Sequence, residues 1–133
     1  MWYADDYIIE ILSRLPSECA YLDYKLFPYV KDHYQVLMKD VIAMLNSEEG
    51  IGHKKAIIFG VSDEVPRRLV GIDSFLNNSI EKFDDATYQN VFGRITPRPH
   101  ITVGTVTYWG QTFGYVFMDA NGNREWIYEV KET

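Results

Sequence analysis

Residues Lys55-Ala56-Ile57-Ile58-Phe59-Gly60-Val61 form a nearly continuous apolar run, too short for a helix of the usual length and closed by the turn-forming Ser62-Asp63-Glu64-Val65-Pro66. A strand with one wetted face alternates apolar and polar residues. A run that does not alternate must be covered on both faces, so this segment predicts a central strand with layers above and below it. The chain must therefore supply helices for two sides of a sheet. Arg68-Leu69-Val70-Gly71-Ile72 follows the turn and is predicted to return beside the first run as a hairpin.

The rest of the chain offers the covering elements. Tyr7, Ile8, Ile11, Leu12 and Leu15 recur at helical spacing, with Asp5 and Asp6 in the first turn, Arg14 in the last and Pro16 as a stop, so Tyr3 to Leu15 is predicted as a helix. Lys31 to Asn46 is a second helix, with Tyr34, Leu37, Met38, Val41 and Leu45 as its apolar stripe. Between them, Tyr21 to Phe27 alternates as a strand, with Tyr21, Asp23 and Lys25 on one face and Leu22, Tyr24 and Leu26 on the other. Phe75 to Ile95 is a polar helical stretch broken near Phe83, where Asp84 or Asp85 can cap its second part. Ile101 to Tyr108 and Thr112 to Met118 are strands joined by a turn at Trp109-Gly110-Gln111; Asp119 to Asn123 carries an Asn-Gly turn signal, and Trp126 to Val130 is the last strand. This order predicts one α+β domain over residues 1–133, with a mixed, mostly antiparallel sheet and flanking helices.

Charge narrows the function classes. The chain carries 13 Lys and Arg against 19 Asp and Glu, a net charge of −6, so attraction of bulk charge to nucleic acid is excluded and any such binding needs a local positive strip. The acid is concentrated in residues 1–66, which hold 6 basic and 11 acidic side chains. The basic candidates for phosphate contact are Lys54, Lys55, Arg67, Arg68, Arg94 and Arg98; in a hairpin, Lys54-Lys55 and Arg67-Arg68 would flank one another. A single cysteine, Cys19, permits no internal disulfide, and no apolar run is long enough to span a membrane; with a start that lacks the basic-then-apolar layout of a secretory signal, the expectation is a cytoplasmic protein.

Other residues capable of chemistry read more simply. His33, His53 and His100 have no ligand spacing, and Cys19 has no histidine near it in sequence, which favours a structural thiol over a nucleophile. Gly50-Ile51-Gly52 could present backbone amides to a phosphate, but the Gly-Lys-Ser/Thr ending of a P-loop is missing. Tyr108, Trp109, Trp126 and Tyr128 suit cross-strand packing better than base stacking.

Several segments together resemble a known family. Glu18-x4-Asp23-Tyr24-Lys25 is similar to the E-x4-E-F-K opening of the Schlafen-type AlbA_2 domain; Ala43-Met44-Leu45-Asn46-Ser47 resembles its A-x-A-N-T helix end; Ile57 to Asp63 resembles its I-x-F-G-V-D-D strand and turn; Leu69-Val70-Gly71-Ile72 and Ile95-Thr96-Pro97 resemble its I-V-G-I and I-x-P segments. The resemblance covers roughly residues 16–118. Two features depart from it: the family's Gly-Gly after Asn-Thr becomes the longer, charged Glu48 to Lys55, and Asp23 stands for the second glutamate.

The resemblance implies a metal-dependent endoribonuclease acting on RNA such as tRNA, in prokaryotic defence or stress. Glu18, Asp23 and Asp63 would be its metal-holding carboxylates for Mg²⁺ or Mn²⁺, and Lys25 would meet the phosphate. Hard oxygen ligands suit those ions. The family also contains nucleic-acid- or nucleotide-binding members, so a non-catalytic binding module is the alternative; a protein-interaction domain within a larger assembly is a third reading. Two lobes of this fold make an RNA clamp in Schlafen nucleases, so the resemblance implies a homodimer or a longer chain.

Overall fold

The computed structural model describes residues 3–78, 83–119 and 127–131. In chain order they form α1 (Tyr3–Arg14), β1 (Leu22–Lys25), a 3-10 turn (Lys31–His33), α2 (Tyr34–Asn46), β2 (Lys55–Phe59), α3 (Asp73–Asn78), α4 (Asp85–Phe92), β3 (Ile95–Thr96), β4 (Ile101–Tyr108), β5 (Gln111–Met118) and β6 (Glu129–Val130). The main sheet has the order β1-β2-β5-β4. β1 runs parallel to β2, whereas β2–β5 and β5–β4 are antiparallel. Parallel neighbours need a crossover, and α2 is that crossover.

The apolar run of β2 is covered as its pattern demands. Ile57 and Phe59 face a cluster built with Leu37, Met38 and Val41 of α2 and Tyr88 and Phe92 of α4. Ala56 and Ile58 face the other way, onto Ile8, Ile11 and Leu12 of α1. Ile57, Ile58 and Phe59 are fully buried, each worth roughly 1.5–3 kcal/mol of transfer from water. The molecule is thus a mixed α+β fold with helices on both faces of a mostly antiparallel sheet.

The predicted hairpin of residues 55–61 with 68–72 is not what lies beside β2. Only one bridge forms, Val61 to Leu69. Gly60 and Gly71 both take positive φ, 108° and 76°, and the Gly60 carbonyl accepts from the N–H groups of both Val70 and Gly71. The chain kinks there, the Ile72 N–H turns to the Thr112 carbonyl, and β5 takes the place next to β2. One consequence is that Lys54-Lys55 stand at the start of β2 and Arg67-Arg68 beyond its end instead of flanking one another.

The break in the polar helical stretch falls where expected. The Asp84 side chain accepts from the Thr87 N–H and caps α4. The turn between β4 and β5 narrows to two residues, Trp109 and Gly110, at φ 51° and 74°, which suits the twist of a tight hairpin. The Asn-Gly signal of residues 120–123 and Trp126 lie outside the described residues; β6 pairs with β3, apart from the main sheet. No helix among the described residues is long and apolar enough to cross a membrane.

Candidate carboxylate centre

The spacing Glu18-x4-Asp23 has a simple structural cause. Leu15, at φ 45°, and Pro16 end α1, and the chain then reverses through a tight turn in which Cys19 and Leu22 exchange both backbone hydrogen bonds, at 3.0 and 3.3 Å. Glu18 and Asp23 are the next rung outward from that pair. A non-hydrogen-bonded rung brings opposing side chains close, and the two carboxyl groups lie near enough to shift one another's titration. β1 is an edge strand of the sheet, and Glu18 uses that edge: the Tyr24 N–H donates to its Oε2 at 2.9 Å.

Positive charge comes from two elements. The Arg67 guanidinium donates to Glu18 Oε1 at 2.9 Å and to the Ser62 carbonyl at 3.2 Å, and it lies 5.0 Å over the Tyr24 ring. Lys25, two residues along β1 from Asp23, stands 3.4 Å from Asp23 and 4.0 Å from Asp40 of α2. Asp40 accepts from the Tyr29 hydroxyl, which helps push the Tyr29 pKa far above its ordinary value after burial, the larger cause. Glu18, Asp23 and Asp40 line an open cavity of about 510 Å³ between α2 and the turn.

The two acids divide their charge unequally. The hydrogen bond to Asp23, then the Tyr24 N–H and Arg67, hold Glu18 below its usual value against the opposing effect of burial. Burial first, and the bond to Glu18 second, push Asp23 up to about 7, with Lys25 opposing. The pair therefore titrates as a unit, and Asp23 is the partner whose carboxyl is raised while Glu18 is lowered.

The other sequence candidates separate. Asp63 is exposed in the bend after β2, and that segment reaches the centre through Arg67 instead. Among the described residues no group of three His, Cys, Asp or Glu side chains is arranged to hold a metal ion. With both Glu18 oxygens already engaged, the three acids do not fit a shared Mg²⁺ or Mn²⁺ in this arrangement. Lys55 is only 3% exposed, and its ammonium donates to the Gly50 and His53 carbonyls at 2.8 and 3.1 Å. It is a structural lysine inside the fold, so it does not offer itself to a phosphate. Arg67 is likewise committed, with its side chain 14% exposed. Arg68 is exposed and pairs with Glu64 at 3.8 Å. Arg94 and Arg98 are exposed near α4, where Arg98 donates to Gln89 at 3.2 Å.

Asp40 escaped the sequence reading. A signal was present: position 40 is three residues after Leu37 and four before Met44, both buried, so an acid there sits on the margin of the core-facing stripe.

A parallel β1–α2–β2 unit inside an otherwise antiparallel sheet, with paired acids on its edge turn, defines a distinct class of α+β domain. The family model described as Schlafen, AlbA_2 matches residues 18–132, and the chain belongs to that family. Two solved structures share the fold. One is the DIP2311 protein of Corynebacterium diphtheriae, 18% identical with a TM-score of 0.55, over 96% of this chain and 24% of that one. The other is the N-terminal domain of a putative ATP-dependent DNA helicase RecG-related protein of Nitrosomonas europaea, 18% identical with a TM-score of 0.50, over 90% of this chain and 74% of that one. The chain thus spans about a quarter of the first structure's length. No curated protein matches it.

Proposed function

We propose that this chain is an RNA-handling Schlafen-type domain with endoribonuclease activity centred on Glu18 and Asp23. The observation that supports the reading is the contact between those two carboxyl groups across the Cys19–Leu22 turn, with Lys25 and Arg67 beside them. Like acids in contact repel unless a proton or a cation lies between them. Cleavage of RNA by its own 2′-hydroxyl needs a group to take the hydroxyl proton and positive charge to meet the phosphate oxygens. The carboxyl pair suits the first task, and Lys25, whose side chain is 39% exposed, suits the second. A second copy, or further chain, would supply the other half of a clamp around the RNA.

A second reading is binding without cleavage. It is favoured by the Arg67–Glu18 ion pair, which occupies an oxygen that a catalytic centre would use. One experiment separates the two. Wild type, Glu18→Gln and Asp23→Asn are incubated with a panel of RNAs, tRNA included, in EDTA, Mg²⁺ or Mn²⁺, and both cleavage and retention on filters are read. The expected result is cleavage by wild type that falls at least about 100-fold in both variants. The buffer that supports it tells whether a metal ion takes part. Retention without cleavage in any buffer selects the binding reading. Neither cleavage nor retention removes both, leaving protein interaction as the function to pursue.

A further inference from the structure

Adjoining the carboxylate cavity, with which it shares Glu18, Cys19 and Leu22, a groove of about 670 Å³ runs between the end of α1 and residues 52–54. Its walls include Tyr7, Ile11, Glu18, Tyr21, His53 and Lys54. That volume lies within the range of small-ligand sites. We propose that this groove binds a single unpaired nucleotide, with the base against the Tyr21 and Tyr7 rings and the phosphate on Lys54.

Three sets of observations point to that ligand chemistry. The first is the aromatic wall. Tyr21 and His53 are in ring contact, with centroids 4.1 Å apart, and Tyr7 packs on Phe117 at 5.5 Å, which holds its ring in place. Rings held in this way offer flat faces to a base. The second is the cation. Lys54 Nζ stands 4.7 and 5.3 Å from the Tyr3 and Tyr7 ring centroids. The Tyr3 side chain and the Asp119 carboxylate also favour its charged form, so the ammonium stays protonated beside the groove. The third is the loop itself. Buried Lys55 clamps the Gly50 and His53 carbonyls and holds residues 50–53 in place. Gly52, at φ 81°, has nothing within 4 Å of where a Cβ would project. A ligand can therefore approach the backbone there.

The polarity of the groove selects among anions. Lys54 lies on one wall and the Glu18 carboxylate on another. A nucleotide can set its phosphate on Lys54 and its uncharged base on the Glu18 side, whereas an acidic peptide would bring a carboxylate against Glu18. The inference deepens the RNA reading and rests on it only in that Glu18 borders both cavities.

The test is calorimetric titration of the intact protein with AMP, GMP, CMP and UMP, alongside ribose 5-phosphate and inorganic phosphate. The expected result is binding of at least one nucleotide, weakened tenfold or more by Tyr21→Ala and by Lys54→Ala, with both controls binding at least tenfold more weakly. Circular dichroism checks that each variant is folded, and Tyr21→Phe, which keeps the ring, should retain binding. The proposal is overturned if no nucleotide binds at millimolar concentration, if both alanine variants bind as wild type does, or if inorganic phosphate binds as tightly as the nucleotides. Nucleotide binding without RNA cleavage leaves this site standing and removes the nuclease; cleavage without nucleotide binding does the reverse.

Discussion

Gly60→Ala should abolish folding or lower the unfolding free energy by about 3 kcal/mol or more. Two independent obstacles stand at that position. The backbone is at φ 108°, a region that a residue with a Cβ rarely enters. A Cβ built there would also lie 2.9 Å from Gly71 Cα and 2.9 Å from the Phe113 ring. Neither neighbour can retreat, because Gly71 is bonded to the Gly60 carbonyl and Phe113 is fully buried. Gly110→Ala is the control. It shares a positive φ, 74°, but has open space around it, so it should cost only about 1–2 kcal/mol. Urea denaturation of the three proteins measures both effects. A Gly60→Ala protein within 1 kcal/mol of wild type would show that the close approach of residues 60 and 71 is not as described.

The second large effect is expected at Lys55. Burying an ammonium group is costly unless its donors are satisfied, and here the Gly50 and His53 carbonyls accept from it. Lys55→Met keeps most of the apolar stem and removes both bonds; the His53 carbonyl loses its lysine donor while the Gly50 carbonyl keeps the His53 N–H, and a loss of roughly 1–3 kcal/mol is expected. Lys55→Ala also removes the stem and should cost more. Denaturant midpoints give the stability. The same variants should show faster amide exchange in residues 50–54, since the lysine reinforces the backbone bonds that close that loop. Unchanged stability in Lys55→Met would mean that the loop holds its shape by other contacts.

These two positions also show how far the sequence was readable. The apolar run over residues 55–61 announced a strand covered on both faces, and every residue of β2 is buried. The same logic applied to Lys55 itself would have placed it inside. It read as a surface charge because a lysine beside a lysine normally solvates; the compensating carbonyls come from a loop whose shape no periodicity encodes. The returning strand was over-read for a related reason. Leu69-Val70-Gly71-Ile72 has strand composition, but the positive φ of Gly60 and Gly71 is a property of two backbones meeting, and it limits the pairing to one bridge.

The carboxylate centre divides in the same way. Glu18 and Asp23 were legible through the resemblance of Glu18-x4-Asp23-Tyr24-Lys25 to the family's E-x4-E-F-K opening, and the turn that brings them together is local. Arg67 was assigned to phosphate because its carboxylate partner lies 49 residues away. Asp40 joins the centre only after the crossover packs α2 beside β1, and Asp63 is carried outward by the bend after β2. Contacts between distant segments depend on the packed fold, and single residues carry little sign of them.

A carboxyl titration of Asp23 by carbon-detected NMR tests the central claim most directly. If Glu18 and Asp23 form one centre, Asp23 should titrate with a midpoint near 7, and the midpoint should fall in Glu18→Gln. Because the folded-state pKa lies above the unfolded value of about 3.9, this group stabilises the fold most below that value, and the contribution is lost as pH rises through about 7. Stability should accordingly decline between mildly acidic and alkaline pH, and Asp23→Asn should flatten the decline. A midpoint near 4 for Asp23, unmoved by Glu18→Gln, would contradict the account.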